Sequence, residues 1–258
     1  MKVSNKTTRL LLGITSMAAF FAASSAFAGN DLWIGNSDAN FGTLANWTGS
    51  VTPNGNTPEF HLAGSSGTTL TNDISGATYN GFLFDSGSAA FTIGGNPFTL
   101  GGNLANNSTS LQTISSAITN TAIRTVTLTT GGGNVTLGGN ITGTGGGFTL
   151  AGTGTLALSG SNSFTGGITV GGKTLQLQAN TANSVSGISS AMPAQSMTLA
   201  QLGSGSTIQL RADSGVASGG IVAFNNGGTA FGVNSAGSRL NGTLNFDVNQ
   251  VSSGSGLA

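Results

Sequence analysis

The sequence predicts an all-β chain: a right-handed parallel β-helix (a β-solenoid) with an irregular N-terminal cap, placed after a cleavable signal peptide. Three observations predict it. First, one short phrase recurs between Tyr79 and Leu177, a few alternating residues ending in an aliphatic and then a glycine pair. Its clearest copies are Phe91-Thr-Ile93-Gly-Gly95, Phe98-Thr-Leu100-Gly-Gly102, Val135-Thr-Leu137-Gly-Gly139 and Ile168-Thr-Val170-Gly-Gly172. Repetition of strand-and-turn units is the mark of a stacked, quasi-one-dimensional fold. Second, apolar residues alternate at period two in Thr155-Leu-Ala-Leu158, Thr174-Leu-Gln-Leu177, Thr207-Ile-Gln-Leu210 and Leu244-Asn-Phe-Asp-Val248, which puts one set of side chains on one face of a strand. Third, the turns are Gly-Gly, Gly-Gly-Asn or Gly-Thr-Gly, residues that reach left-handed backbone conformations at low cost.

Double glycines after nearly every short strand favour coils over a β-sandwich, whose strands run longer. Coils of roughly 20 to 25 residues, pairing at ~4.8 Å, would number about ten in the mature chain. Glycine supplies 44 of the 258 residues, a composition that also suits flexible linkers. Hydrophobic residues at 37%, held at period two, argue for order instead.

Residues 1–28 read as an address. Lys2, Lys6 and Arg9 form a basic opening, Leu10 to Phe21 an apolar stretch, and Ala26-Phe27-Ala28 a small-x-small cleavage site. The apolar run is shorter than the ~20 residues that span a bilayer. Cleavage after Ala28 is expected, with no transmembrane span in the mature chain.

Residues 29–80 read as the cap with the first coils. They hold both tryptophans, two of the four prolines, the only histidine and the only glutamate. Terminal units of a solenoid are atypical because they must cover an exposed core. Residues 81–178 read as the repeat array, with threonine before each aliphatic facing outward as a β-branched strand residue. Asn96, Asn103 and Asn140 follow the turns; they are expected either as ordinary turn residues or as ladders between coils. Residues 179–258 read as a looser continuation. It has a loop around Met192-Pro193 and strands at Ser196-Met-Thr-Leu199, Thr207 to Leu210, Ile221 to Phe224 and Leu244 to Val248. No aromatic or charged cap follows the last strand, so the chain reads as the front part of a longer reading frame, since a bare solenoid end exposes strand edges.

Charge narrows the function classes. Removal of 1–28 leaves Arg124, Lys173, Arg211 and Arg239 against seven acids, a net of −3. Nucleic acid, which needs a clustered basic surface, is not an expected partner. The chain has no cysteine, so disulfides and thiolate metal sites are excluded. A neutral, polar, glycine-rich chain with a signal suits an exported protein.

The run Gly152-Thr-Gly-Thr-Leu-Ala-Leu-Ser-Gly160, then Ser161-Asn-Ser-Phe-Thr-Gly-Gly-Ile-Thr-Val-Gly-Gly-Lys-Thr-Leu-Gln-Leu177, resembles the autotransporter-associated β-strand repeat. Lys173-Thr174 stands where that repeat usually has one small residue, a mild departure. Phe82-Leu-Phe-Asp85 through Leu111-Gln-Thr-Ile114 and the Trp33…Asn46-Trp47 opening are similar to the region upstream of such repeats. The resemblance implies a passenger-type parallel β-helix, displayed on or released from the cell surface. It implies no activity. The run of amphipathic strands that would form a translocator barrel is not visible here.

The motifs that could carry chemistry each have a plainer structural reading. Gly167-Ile-Thr-Val-Gly-Gly172-Lys173-Thr174 satisfies the phosphate-loop pattern. Its chemistry, however, needs a helix after the lysine, and Thr174-Leu-Gln-Leu177 alternates like a strand. No nucleotide is expected. Glycosidic chemistry wants two carboxylates about 5 to 10 Å apart, and Asp31, Asp38, Glu59, Asp73, Asp85, Asp213 and Asp247 are scattered singly. Arg211-Ala-Asp213 reads as a solvated pair. His61 reads as a partly buried strand residue, not a metal ligand. Trp33 and Trp47 read as cap packing, with stacking on sugar rings as the alternative. The sequons Asn107-Ser-Thr109 and Asn241-Gly-Thr243 are expected by chance.

Catalytic, cofactor and metal sites are therefore all expected to be absent, and no cofactor is expected. The expected function is an exported structural or adhesive β-solenoid, secreted or at the cell surface, contacting extracellular polymers or other cells, with the export machinery as partner of its signal. The alternatives are a carbohydrate-active enzyme or binding module on the same fold, and a rigid spacer for domains encoded downstream.

Overall fold

The computed structural model describes residues 29–129, 133–160, 162–179, 205–212 and 243–247. Two parallel sheets wind about one axis. The first contains β1 (Asn30–Leu32), β2 (Thr57–Phe60), β4 (Thr78–Phe84), β6 (Phe98–Asn106), β9 (Ile123–Leu128), β12 (Gly147–Gly152) and β14 (Ile168–Thr169), with β8 (Ile118–Thr119) and β11 (Ile141–Thr142) beside them. The second contains β3 (Thr69–Asn72), β5 (Thr92–Gly95), β7 (Gln112–Ile114), β10 (Val135–Leu137), β13 (Thr155–Leu158), β15 (Thr174–Ala179), β16 (Thr207–Ala212) and β17 (Thr243–Asp247). One turn shows the construction: β10 lies on β7, β11 on β8 and β12 on β9. The fold is a parallel β-solenoid, and its only helical pieces among the described residues are two 3-10 turns, Leu44–Asn46 and Thr48–Ser50.

Register explains why the alternating residues make this object. Leu70, Ile93, Ile114, Leu137, Leu158 and Leu177 are partners in successive coils of the second sheet, and each is at most 1% exposed. Burying one such side chain stabilises the fold by about 1.5–3 kcal/mol, so each coil is held by the coil above and below. The threonines before them face out: Thr69, Thr92, Thr113 and Thr136 form one column in register, and Thr78, Thr99, Thr119 and Thr142 form another on the first sheet.

Coil length is less regular than the phrase suggests. The partners Ile114–Leu137, Leu137–Leu158 and Leu158–Leu177 are offset by 23, 21 and 19 residues. Leu177–Leu210 and Leu210–Phe246 are offset by 33 and 36. These long offsets reduce the expected count of about ten: the described residues give eight strands on the second sheet.

Glycine does more here than form corners. At Gly139 the backbone has no left-handed φ, yet an added Cβ would collide with the Ser116 carbonyl of the neighbouring coil. At Gly152 both demands coincide, with φ +83° and a Cβ that would strike the Leu128 carbonyl. Close approach of stacked backbones therefore selects glycine as strongly as turn geometry does.

Asparagines beyond those expected from the turns also bridge coils. Asn72, Asn106 and Asn120 are fully buried. The Nδ2 of Asn72 donates to Asn96 O at 2.9 Å, that of Asn106 to Asn134 O at 2.9 Å, and that of Asn120 to Gly147 O at 3.1 Å. Asn103 accepts at Oδ1 from Thr125 N at 2.9 Å, a single bond to the next coil. The buried three satisfy backbone groups at corners, where the ladder is broken and orphan carbonyls would be costly.

The N-terminal end is aromatic. Trp33 and Trp47 meet edge-on with centroids 5.0 Å apart, Phe41 packs edge-on against Trp47 at 5.2 Å, and Phe60 stacks on Phe84 at 5.1 Å. Trp47 Nε1 donates to Phe41 O at 2.8 Å and Trp33 Nε1 to Ala63 O at 3.3 Å, so both buried indoles are satisfied. The irregular loop between β1 and β2 is tied by Asn46. Its Oδ1 accepts from Ser37 N and Asp38 N, and its Nδ2 donates to Asp38 Oδ1 and Asn40 O.

Candidate functional site

Among the described residues, chemistry-bearing side chains converge at the seam between β2 and β4. Register sets Glu59 opposite Leu83 and Phe60 opposite Phe84. The next residues, His61 and Asp85, then face each other across the coils, with His61 Nδ1 3.9 Å from Asp85 Oδ2. Glu59 projects from the same strand face as His61, and its carboxyl lies within hydrogen-bonding reach of Asp85. Asn30 Nδ2, from β1, donates to Glu59 Oε2 at 3.0 Å. Partial burial first, then the Asp85 carboxylate, hold the Glu59 pKa above its ordinary value, against the smaller opposing pulls of Asn30 and His61.

Two carboxyls this close share a proton more readily than both ionise. The seam therefore joins adjacent coils through a Glu59 carboxyl that keeps its proton to higher pH than an ordinary glutamate. Among the described residues no group of three or more His, Asp or Glu is placed to hold a metal ion.

The remaining acids lie elsewhere. Asp31 accepts from Asn56 Nδ2 at 2.9 Å, and burial raises its pKa against that bond. Asp38 is held below the ordinary carboxylate range, chiefly by the Asn40 backbone N–H, which donates to it at 2.9 Å. Asp73 Oδ1 accepts from Gly42 N at 2.6 Å. Asp213 lies outside the described residues, and the backbone register sets Arg211 beside Asp247 of β17.

Two sequence expectations change. His61 is not a partly buried strand residue: it stands just past β2 with its side chain 49% exposed, because Phe60 takes the last inward position. The acids are not all single, since the 24-residue coil offset brings Glu59 and Asp85 together. At Gly167 to Thr174, β15 begins at Thr174 where a phosphate loop requires a helix, and Gly172 N already donates to Ser206 Oγ at 2.8 Å. Trp33 and Trp47, each 1% exposed, are core packing and present no face to a sugar. The signal residues 1–28, the Met192-Pro193 loop, the strands expected at 196–199 and 221–224, and the sequon at Asn241 lie outside the described residues.

Grooves mark the outer surface of the described residues. One of about 300 Å³ runs along the corner from Ser75 to Phe98 and Thr119. Another, of about 270 Å³, crosses the second sheet between Leu111 and Gln176. Neither contains the carboxyl seam. A scan against protein-family models and searches of curated proteins and solved structures return no match for the chain.

Proposed function

We propose that this chain is an exported structural or adhesive rod of the passenger type, which works by presenting uncharged polar faces at or beyond the cell surface. The observation that carries the reading is the outward surface of the second sheet. Its two columns, Thr69–Thr92–Thr113–Thr136 and Thr71–Gly94, with Ser115, Gly138 and Ser159 continuing the second, carry no charge over successive coils. A face of this kind offers hydroxyls and backbone groups without a reactive constellation. The resemblance of residues 152–177 to the autotransporter-associated repeat and the signal-like residues 1–28 support export.

Two measurements test the reading. Fusion of residues 1–28 to a reporter that is active only outside the cytoplasm is expected to yield activity, lost when Leu11 and Leu12 are replaced by Arg. Cells that express the full chain are expected to show it to externally added protease and to adhere to polymer-coated surfaces better than cells without it. A chain retained with the cytoplasmic fraction, or displayed without any gain in adherence, refutes the respective half of the reading.

A further inference from the structure

From the groove on the second sheet we infer a binding site for one ring of an uncharged glycan, centred on Ala157. The outward column of this face runs Thr113, Thr136, Ala157, Gln176, Gln209 through successive coils. At Ala157 the column drops from a branched or long side chain to a single methyl, and the gap between Thr136 and Gln176 opens into the groove of about 270 Å³. Leu111 forms one wall and is 49% exposed, one of the few large apolar side chains this surface shows to water. Asn134, Val135, Thr136, Thr155 and Gln176 complete the lining.

The chemistry commits the site to one class of occupant. A pyranose ring has an apolar C–H face and an equatorial rim of hydroxyls. Leu111 offers the apolar contact above the Ala157 methyl, which is 7% exposed and forms the floor of the gap, and the Thr136 and Thr155 hydroxyls offer hydrogen-bond partners at its edge, the mixture that ligand pockets use to orient a bound group. Every lining residue is uncharged, which leaves nothing to balance the charge of a polyuronate, a sulfated glycan or a phosphate backbone. The volume suits one ring. Successive coils ~4.8 Å apart continue the hydroxyl and amide column on either side, so the neighbouring sugars of a chain would lie along the same face.

This site names the partner class of the display reading above and rests on it. The test is titration of the purified full chain with a panel of oligosaccharides: neutral glucans, mannans, galactans and xylans, with a polyuronate and a sulfated glycan as charged controls. At least one neutral oligosaccharide is expected to bind and the charged controls are not. Ala157→Trp fills the gap and is expected to weaken binding about tenfold or more, and Leu111→Ala to weaken it less. Thr69→Trp, far along the same face, is expected to leave binding unchanged. Thr136→Lys provides the same readout from a more exposed position should Ala157→Trp fail to fold. Absence of binding to any neutral oligosaccharide, equal binding of the charged controls, or wild-type affinity in Ala157→Trp and Thr136→Lys overturns the site. Adherence of displayed chain that persists without glycan binding sinks this site and leaves the display reading standing. Glycan binding in solution by a chain that is never exported does the reverse.

Discussion

Tyr79 donates its phenolic O–H to Asn72 Oδ1 at 2.7 Å inside the stack, with both side chains fully buried. Burial, and then the nearby charge of Asp73, push the Tyr79 pKa up, which keeps the phenol protonated as the donor. Asn72 spends its other capacity on Asn96 O and Ile74 N. The pair therefore closes one corner of the solenoid, joining β3 to β4 and to the turn after β5. Tyr79→Phe removes the O–H but leaves Asn72 Oδ1 with the Ile74 N–H, so the expected loss is about 1 kcal/mol. Asn72→Leu orphans the phenol and Asn96 O together, and about 2–4 kcal/mol is expected. Urea denaturation of the two variants checks the order; equal losses would show that the corner is not held by Asn72.

The glycine argument separates two causes that a sequence cannot. Gly55 has φ +85° and nothing within 4 Å of an added Cβ, whereas Gly152 has φ +83° and the Leu128 carbonyl in the way. Gly55→Ala is expected to cost only the conformational penalty, about 1–2 kcal/mol. Gly152→Ala must also push two coils apart, and about 4 kcal/mol or more is expected. Similar denaturation midpoints for the two alanines would mean that inter-coil contact does not select glycine here.

What the sequence made legible was whatever repeats within a single strand. The Thr-aliphatic alternation places Leu137, Leu158 and Leu177 inward and Thr136 outward, because side-chain direction in a strand has period two. Partners one coil away were illegible without the coil length. His61 and Asp85 meet because Phe60 pairs with Phe84, and no local pattern encodes that offset of 24, which drifts between 19 and 36 along the chain. With the same drift, the described residues give eight strands on the second sheet, where a uniform period suggests about ten coils. Asn106 and Asn120 were missed for a different reason. Their neighbours mark them as turn residues, and only the stacked backbone reveals which carbonyls they must reach.

Asn106 makes four bonds in the core. Its Nδ2 donates to Ser110 O and Asn134 O, both at 2.9 Å, and its Oδ1 accepts from Ser108 N at 3.0 Å and Ser108 Oγ at 2.7 Å. Asn106→Ala leaves several buried groups unpaired, and about 2–4 kcal/mol is expected. Asn106→Asp keeps the shape, retains the Ser108 bonds, and turns the two donations into contacts of a buried carboxylate with carbonyl oxygens. It is expected to be more destabilising than alanine at pH 7 and to recover on acidification, when the carboxyl is protonated and can donate again. Denaturation of both variants at pH 4.5 and pH 7.5 reads this; an aspartate variant insensitive to pH would sink the buried-donor account.

The Glu59–Asp85 seam predicts stability that falls as pH rises. Burial, followed by the Asp85 carboxylate, raises the Glu59 pKa in the folded chain above the roughly 4.3 of an unfolded glutamate. A carboxyl raised on folding binds its proton more tightly in the native state, so its favourable contribution is complete below the unfolded pKa and is lost as pH climbs through the folded one. Asp31 moves the same way and Asp38 the opposite way, so the wild-type profile alone does not isolate the seam. The difference between wild type and Glu59→Gln does. Glutamine can keep the Asn30 contact through its side-chain oxygen and donate to Asp85 at every pH. Its stability is expected to match wild type near pH 4 and to exceed it progressively up to pH 7.5, with a smaller gap between Asp85→Asn and the Glu59→Gln/Asp85→Asn double variant, where only burial still raises the Glu59 pKa. A gap that widens toward low pH would have the wrong sign and would show that Glu59 is stabilised in its ionised form.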